Sequence, residues 1–197
     1  MIQRTKALST ILVASFIFIF SHSFAAEEKI KIEKFKDWGL QCPKPNICEV
    51  IQSIQIKDSN LKFNLIYSSF RNKDKQEREI LSIVTPLGVN VQSNLLLKFI
   101  EPGKKEAVGK EVKQTYKTLA SYGIPYLKCE VIGCIVSINN DTNNKDHNEN
   151  FKRIKEGLIK HNSFQIIIQG FAKPIMINSS LAGFGNAYDE MKKRNKS

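Results

Sequence analysis

The chain has 197 residues, enough for one domain with a single core behind a short leader. Its 30 Lys and Arg against 19 Asp and Glu give a formal net charge of +11, but no arginine-aromatic stripe or nucleic-acid motif accompanies that charge, so a nucleic-acid partner is not expected. Beyond the leader no run is apolar over the roughly 20 residues a helix needs to cross a bilayer, so no transmembrane segment is expected in the mature chain.

Residues 1–25 read as a secretory signal peptide. Arg4 and Lys6 form its positive start and Ile11 to Phe20 its apolar centre, which is too short for a membrane span. Ser23 and Ala25 place small residues three and one before a cut after Ala25, with a cut after Ala26 as the alternative. The first cysteine is Cys42, so a lipid-modified N-terminus is not expected. Cleavage leaves residues 26–197 as one exported domain, periplasmic or secreted, whose scattered lysines make a solvated basic surface. The alternative to a merely solvated surface is attraction to anionic lipid or sulfated glycan through its long-range field.

Phe35 to Cys42 is expected as the first strand, followed by a turn at Pro43 to Asn46. Cys48 to Lys57 alternates with Val50, Ile54 and Ile56 on one face. Leu61 to Phe70 alternates with Leu61, Phe63, Leu65 and Tyr67 together. Arg71 to Glu79 reads as a polar turn and Ile80 to Val89 as a strand with its exit. Leu95 to Ile100 is a short apolar strand closed by Pro102-Gly103. Lys104 to Tyr122 reads as a basic loop with at most a helical turn.

Ile124 to Ile138 is expected as a hairpin turning at Gly133, and Asn139 to Asn150 as a mobile polar connection. Phe151 to His161 has helical spacing, Phe164 to Phe171 and Ile175 to Ser179 read as paired strands, and Leu181 to Lys193 as a closing helix with Phe184, Ala187, Tyr188 and Met191 on one face. Lys192, Lys193, Arg194 and Lys196 then suit the helix C-terminus. Many short strands and few helices give an all-β sandwich with one or two short helices near the C-terminus.

All four cysteines, Cys42, Cys48, Cys129 and Cys134, lie beyond the leader, and an even number in an exported chain implies two disulfides. Three connectivities exist. Local pairing, Cys42 with Cys48 and Cys129 with Cys134, is expected because it closes two small rings that form readily, whereas the crossed pairings close longer loops and in principle stabilise more. The spacings do not match paired zinc-ligand motifs, so no metal is expected. Elsewhere the chemistry is sparse. Asp141, Asn143 and Asp146 beside His147 lack the glycine and glutamate of a calcium loop, and His161 reads as a helix cap. No serine-elbow, phosphate-loop or dinucleotide fingerprint is present, so no cofactor and no enzymatic activity are expected.

Four pieces occur in order across nearly everything after the leader: Phe35-Lys36-Asp37-Trp38 with Cys42 and Cys48; Ile83-Val84-Thr85-Pro86-Leu87-Gly88-Val89; Pro125-Tyr126-Leu127-Lys128-Cys129 with Gly133-Cys134; and Ser180-Leu181-Ala182-Gly183-Phe184 with Ala187-Tyr188. In this combination the chain resembles the invasion-associated locus B (IalB) family of exported bacterial proteins. The resemblance implies an immunoglobulin-like β-sandwich, an envelope or secreted location, and in pathogenic members a part in entering host cells. It carries no catalytic residues over. The expected role is a non-enzymatic interaction protein meeting a host-cell or bacterial envelope protein, the alternative being a resident periplasmic envelope-maintenance or ligand-binding factor. The segments 104–122 and 139–150 are longer than the family pattern leads one to expect.

Overall fold

Alternating burial along the strands builds two antiparallel sheets. In the computed structural model, residues 30–56, 60–108, 111–140, 143–169 and 174–195 are described, with side chains of 106–113 left aside. Ala25, Ala26, Lys57, Phe171 and Lys196 lie outside these residues. The strands run β1 (Glu33–Phe35), β2 (Trp38–Lys44), β3 (Ile47–Gln55), β4 (Lys62–Arg71), β5 (Glu77–Thr85), β6 (Leu95–Val108), β7 (Glu111–Ile124), β8 (Tyr126–Glu130) and β9 (Gly133–Asn139). Helix α1 (Lys145–Lys160), strands β10 (Ser163–Ile168) and β11 (Ile175–Ser180), and helix α2 (Phe184–Arg194) follow.

The larger sheet has the order β1-β2-β3-β4-β5-β9-β8 and the smaller β11-β10-β6-β7, forming a sandwich. Both helices pack into the same core as the two sheets. Phe63, Leu65 and Tyr67 of β4 and Leu81 and Ile83 of β5 face inward because their spacing of two matches the pleat. Trp38, Tyr67 and Phe184 form the centre: the Phe184 ring meets Trp38 edge-on at 4.9 Å and Tyr67 at 5.6 Å.

The structure revises several sequence expectations. The first strand is broken at Lys36, whose φ of 54° turns the chain so that Phe35 pairs with Trp38. The polar turn is shorter than Arg71 to Glu79, and β5 already begins at Glu77. Gly133 is not the apex of the stapled hairpin, since Val131 and Ile132 make the turn. Instead a Cβ on Gly133, at φ +136°, would lie 2.2 Å from the Thr85 carbonyl oxygen, so close backbone approach excludes a side chain.

The segment Lys104 to Tyr122 is no loop. It completes a long two-stranded ribbon in which Leu95 pairs with Ile124 and Val108 with Glu111. Asn139 to Asn150 is likewise only in part a connection, because α1 starts at Lys145. Asn144 caps that helix, its side chain accepting from the His147 N–H at 3.0 Å. Phe151, Ile154 and Leu158 form the buried stripe of α1.

Candidate interaction surface

Cys42 is bridged to Cys48 and Cys129 to Cys134, with S–S distances of 2.09 and 2.00 Å. The first bridge ties β2 to β3 beside their connecting turn. The second joins residues directly opposite each other on β8 and β9. None of the four sulfurs is a free thiol, so the nucleophile that cysteine would supply is absent.

Both histidines among the described residues, His147 and His161, serve the fold. The Asn139 N–H donates to Nε2 of His147 at 3.3 Å, joining α1 to the end of β9. His147 also lines a cavity of about 240 Å³ with Ser121, Ser137 and Asn150. His161 is the C-terminal cap of α1, its N–H donating to the Gly157 carbonyl at 3.0 Å, and its ring lies 5.1 Å from that of Phe99. Among the described residues neither histidine hydrogen-bonds a carboxylate or a hydroxyl, and no group of three His, Cys, Asp or Glu side chains is placed to hold a metal ion.

The strongest electrostatic feature was hidden in the segment read as a turn. Glu79 is only 4 % exposed and bridges β5 to both helices. It accepts from Lys155 of α1 at 2.9 Å, and from the Tyr188 hydroxyl at 2.9 Å and Lys192 at 3.3 Å, both on α2. Lys192 also pairs with Glu77. Burial alone would raise the Glu79 pKa, but the bond and charge of Lys155, the charge of Lys192 and the Tyr188 hydroxyl outweigh it and hold the carboxyl below its ordinary 4.5. The Tyr67 phenol beneath is pushed up by burial first and by the Glu79 charge second, and so is that of Tyr188. Asn140 closes the cluster, its side-chain oxygen accepting from the Glu79 N–H at 2.9 Å and its side-chain nitrogen donating to the Glu77 carbonyl at 3.1 Å. This is a clasp holding helices to sheet. Its signal in the sequence is phase, for Glu79 is two residues before Leu81 and four before Ile83.

The expected helix-terminal cations are more than caps. Lys192, Lys193 and Arg194 do occupy the last turn of α2, but Arg194 also pairs with Glu33 of β1 and, at 3.1 Å, with Glu190.

The basic segment that sequence read as a loop supplies the outer half of the β6–β7 ribbon. Strand β10 pairs with β6 only from Leu96 to Ile100. Beyond Ile100 the two ribbon strands have only each other among the described residues, and residues 101–105 are exposed. Pro102 and Tyr116 sit opposite one another, and Thr115 donates its hydroxyl to the Lys104 carbonyl at 2.8 Å. Such a two-stranded ribbon is marginal in water by itself. It offers exposed Lys104, Lys105 and Lys117 next to unpaired strand edges, and an edge of this kind adds a strand from a partner.

Three comparisons bear on this arrangement. A family model described as invasion associated locus B (IalB) protein matches residues 38–192. No curated protein matches the chain. Among solved structures, the chain is similar to the crystal structure of invasion associated protein B from Bartonella henselae, at 19 % identity and a TM-score of 0.57, covering 85 % of this chain and 99 % of that one. At that identity the likeness speaks for the sandwich fold.

Proposed function

Because the chain belongs to the invasion-associated locus B family, we propose that it is an exported, non-catalytic interaction protein that meets a partner at the bacterial surface or on a host cell. Two bridged cysteine pairs support export, since disulfides persist in oxidising compartments. The observation that carries the interaction reading is the ribbon, which extends past the last rung of β10 and presents exposed backbone edges and lysines. Ribbon residues gain a third strand by docking, and the lysines favour an acidic contact or an anionic glycan.

The test is capture from host-membrane and bacterial envelope extracts with the mature, oxidised protein. A variant in which a two-residue Asn-Gly turn replaces residues 104–115 serves as the comparison. A partner retained by the natural chain and lost by the shortened one supports the reading. Retention by both removes the ribbon from it. Fractionation during infection addresses location: protein confined to the periplasm would favour instead a resident envelope-maintenance factor.

A further inference from the structure

The stapled hairpin ends in apolar residues that the sandwich leaves uncovered. Val131 and Ile132, which form the turn between β8 and β9, are 96 % and 73 % exposed, and Leu127 on the edge strand β8 is 67 % exposed. The loop 86–94 adds Leu87 at 54 % and Val91 at 50 % and contains no charged residue. Strand register brings these groups together. Thr85, the last residue of β5, lies opposite Cys134, and Leu95, the first of β6, lies opposite Ile124. The loop therefore leaves the sheet beside the hairpin turn and re-enters beside the hairpin base. Isolated apolar residues are ordinary on a protein surface, whereas five on one hairpin and its flanking loop form a patch.

Two further features bear on what such a patch meets. The turn is braced, because Cys129 and Cys134 are bridged directly behind it and Gly133 is seated against the Thr85 carbonyl, so docking has less backbone to order. Two lysines lie along the same end of the sheet. Asn64 opposite Val84, Lys62 opposite Gln55 and Gly39 opposite Ile51 carry the same end of the sheet across to exposed Lys62 and Lys36. Lys128 is neutralised by its pair with Glu130 and Lys36 stands beside exposed Asp37, while the chain without Arg4 and Lys6 of its leader carries +9, 28 basic residues against 19 acidic. Apolar side chains on a stapled turn of a cationic protein, with exposed Lys62 at the same end of the sheet, match a negatively charged lipid surface in both polarity and charge.

We propose that this end of the sandwich docks on anionic phospholipid, with Val131 and Ile132 entering the boundary between headgroups and acyl chains while Lys36 and Lys62 face the lipid phosphates. The contact is separate from the ribbon and from any partner the ribbon holds.

The experiment is co-sedimentation of the mature, oxidised protein with two vesicle preparations, one of phosphatidylcholine alone and one with phosphatidylglycerol added. The variant is Val131→Asp with Ile132→Asp. Both side chains are exposed, so the urea midpoint of the variant should equal that of the natural chain, and that equality is checked first. The expected result is binding to the phosphatidylglycerol vesicles, weak binding to phosphatidylcholine, and a loss on the order of a hundredfold in partitioning for the variant. Absence of binding to phosphatidylglycerol vesicles overturns the proposal. So does equal binding by the variant, which would assign the attraction to lysines alone. A dimer in gel filtration that the variant turns into a monomer overturns it too, since the patch would then be covered by a second copy.

Discussion

Replacing Glu79 by Gln tests whether the buried carboxylate is what fastens α1 and α2 to the larger sheet. The substitution keeps the shape and the acceptor for the Tyr188 hydroxyl but removes the charge facing Lys155 and Lys192. A unit-charge pair at about 4 Å is worth about 4 kcal/mol at an effective dielectric of 20, which bounds each contact from above. Two effects reduce that figure: the carboxylate has lost its water, and the lysine side chains keep 28 % and 21 % of their exposure, so they recover hydration when the charge is gone. The net loss expected is about 3 kcal/mol, at the low end for breaking a buried pair. For a chain of this size that lowers the melting temperature by about 6–12 °C.

Urea unfolding followed by circular dichroism measures the loss, with Glu149→Gln as the control. The Glu149–Arg153 pair is 53 % and 59 % exposed, so its removal should cost about 0.5 kcal/mol or less. The pH dependence has a defined sign. A carboxyl held below 4.5 in the folded chain contributes its full stability above that value and loses it as pH falls through the folded pKa. The gap between the natural chain and Glu79→Gln should therefore be level from pH 6 to 8 and shrink below about pH 4.5. Equal stabilities at pH 7, or a gap that does not change on acidification, would refute the clasp.

Other substitutions probe the rest of the scaffold. Gly183 caps α2 at φ +94°, and a Cβ there would lie 1.9 Å from the Phe35 carbonyl oxygen, so Gly183→Ala should cost about 3 kcal/mol or more in urea unfolding. Phe184→Ala removes the ring shared by Trp38 and Tyr67 and should cost about 3–5 kcal/mol by the same assay; a loss below about 1 kcal/mol would mean the site collapses freely. Breaking the second bridge with Cys129→Ser and Cys134→Ser opens a ring of sequence separation 5 and should lower stability by about 2 kcal/mol, whereas an unchanged urea midpoint would show that the hairpin holds without it. If the lysine surface binds sulfated polyanions, retention on heparin should fall steeply between low and physiological salt, and salt-insensitive retention would count against the electrostatic contact.

The outcome at each element follows from whether its cause is local. Strands β4 and β5 were legible because one face is buried, which forces apolar residues into a period of two. The sandwich class followed from that repetition, and helix α2 from the spacing of Phe184, Ala187 and Met191. The ribbon from Lys104 to Tyr122 was not legible, because residues such as 101–105 and 116–118 are exposed and impose no apolar period, and its lysines and glutamates resemble a loop. Glu79 was read as part of a turn because a charge near a strand's start ordinarily lies in water. Its partners Lys155 and Lys192 are 76 and 113 residues further along, and nothing local announces them. Local composition thus determined the strands, the closing helix and the family signature. Only tertiary structure decided which charge is buried, which strands stand alone and which apolar residues remain uncovered, because those depend on what the folded chain places opposite each residue.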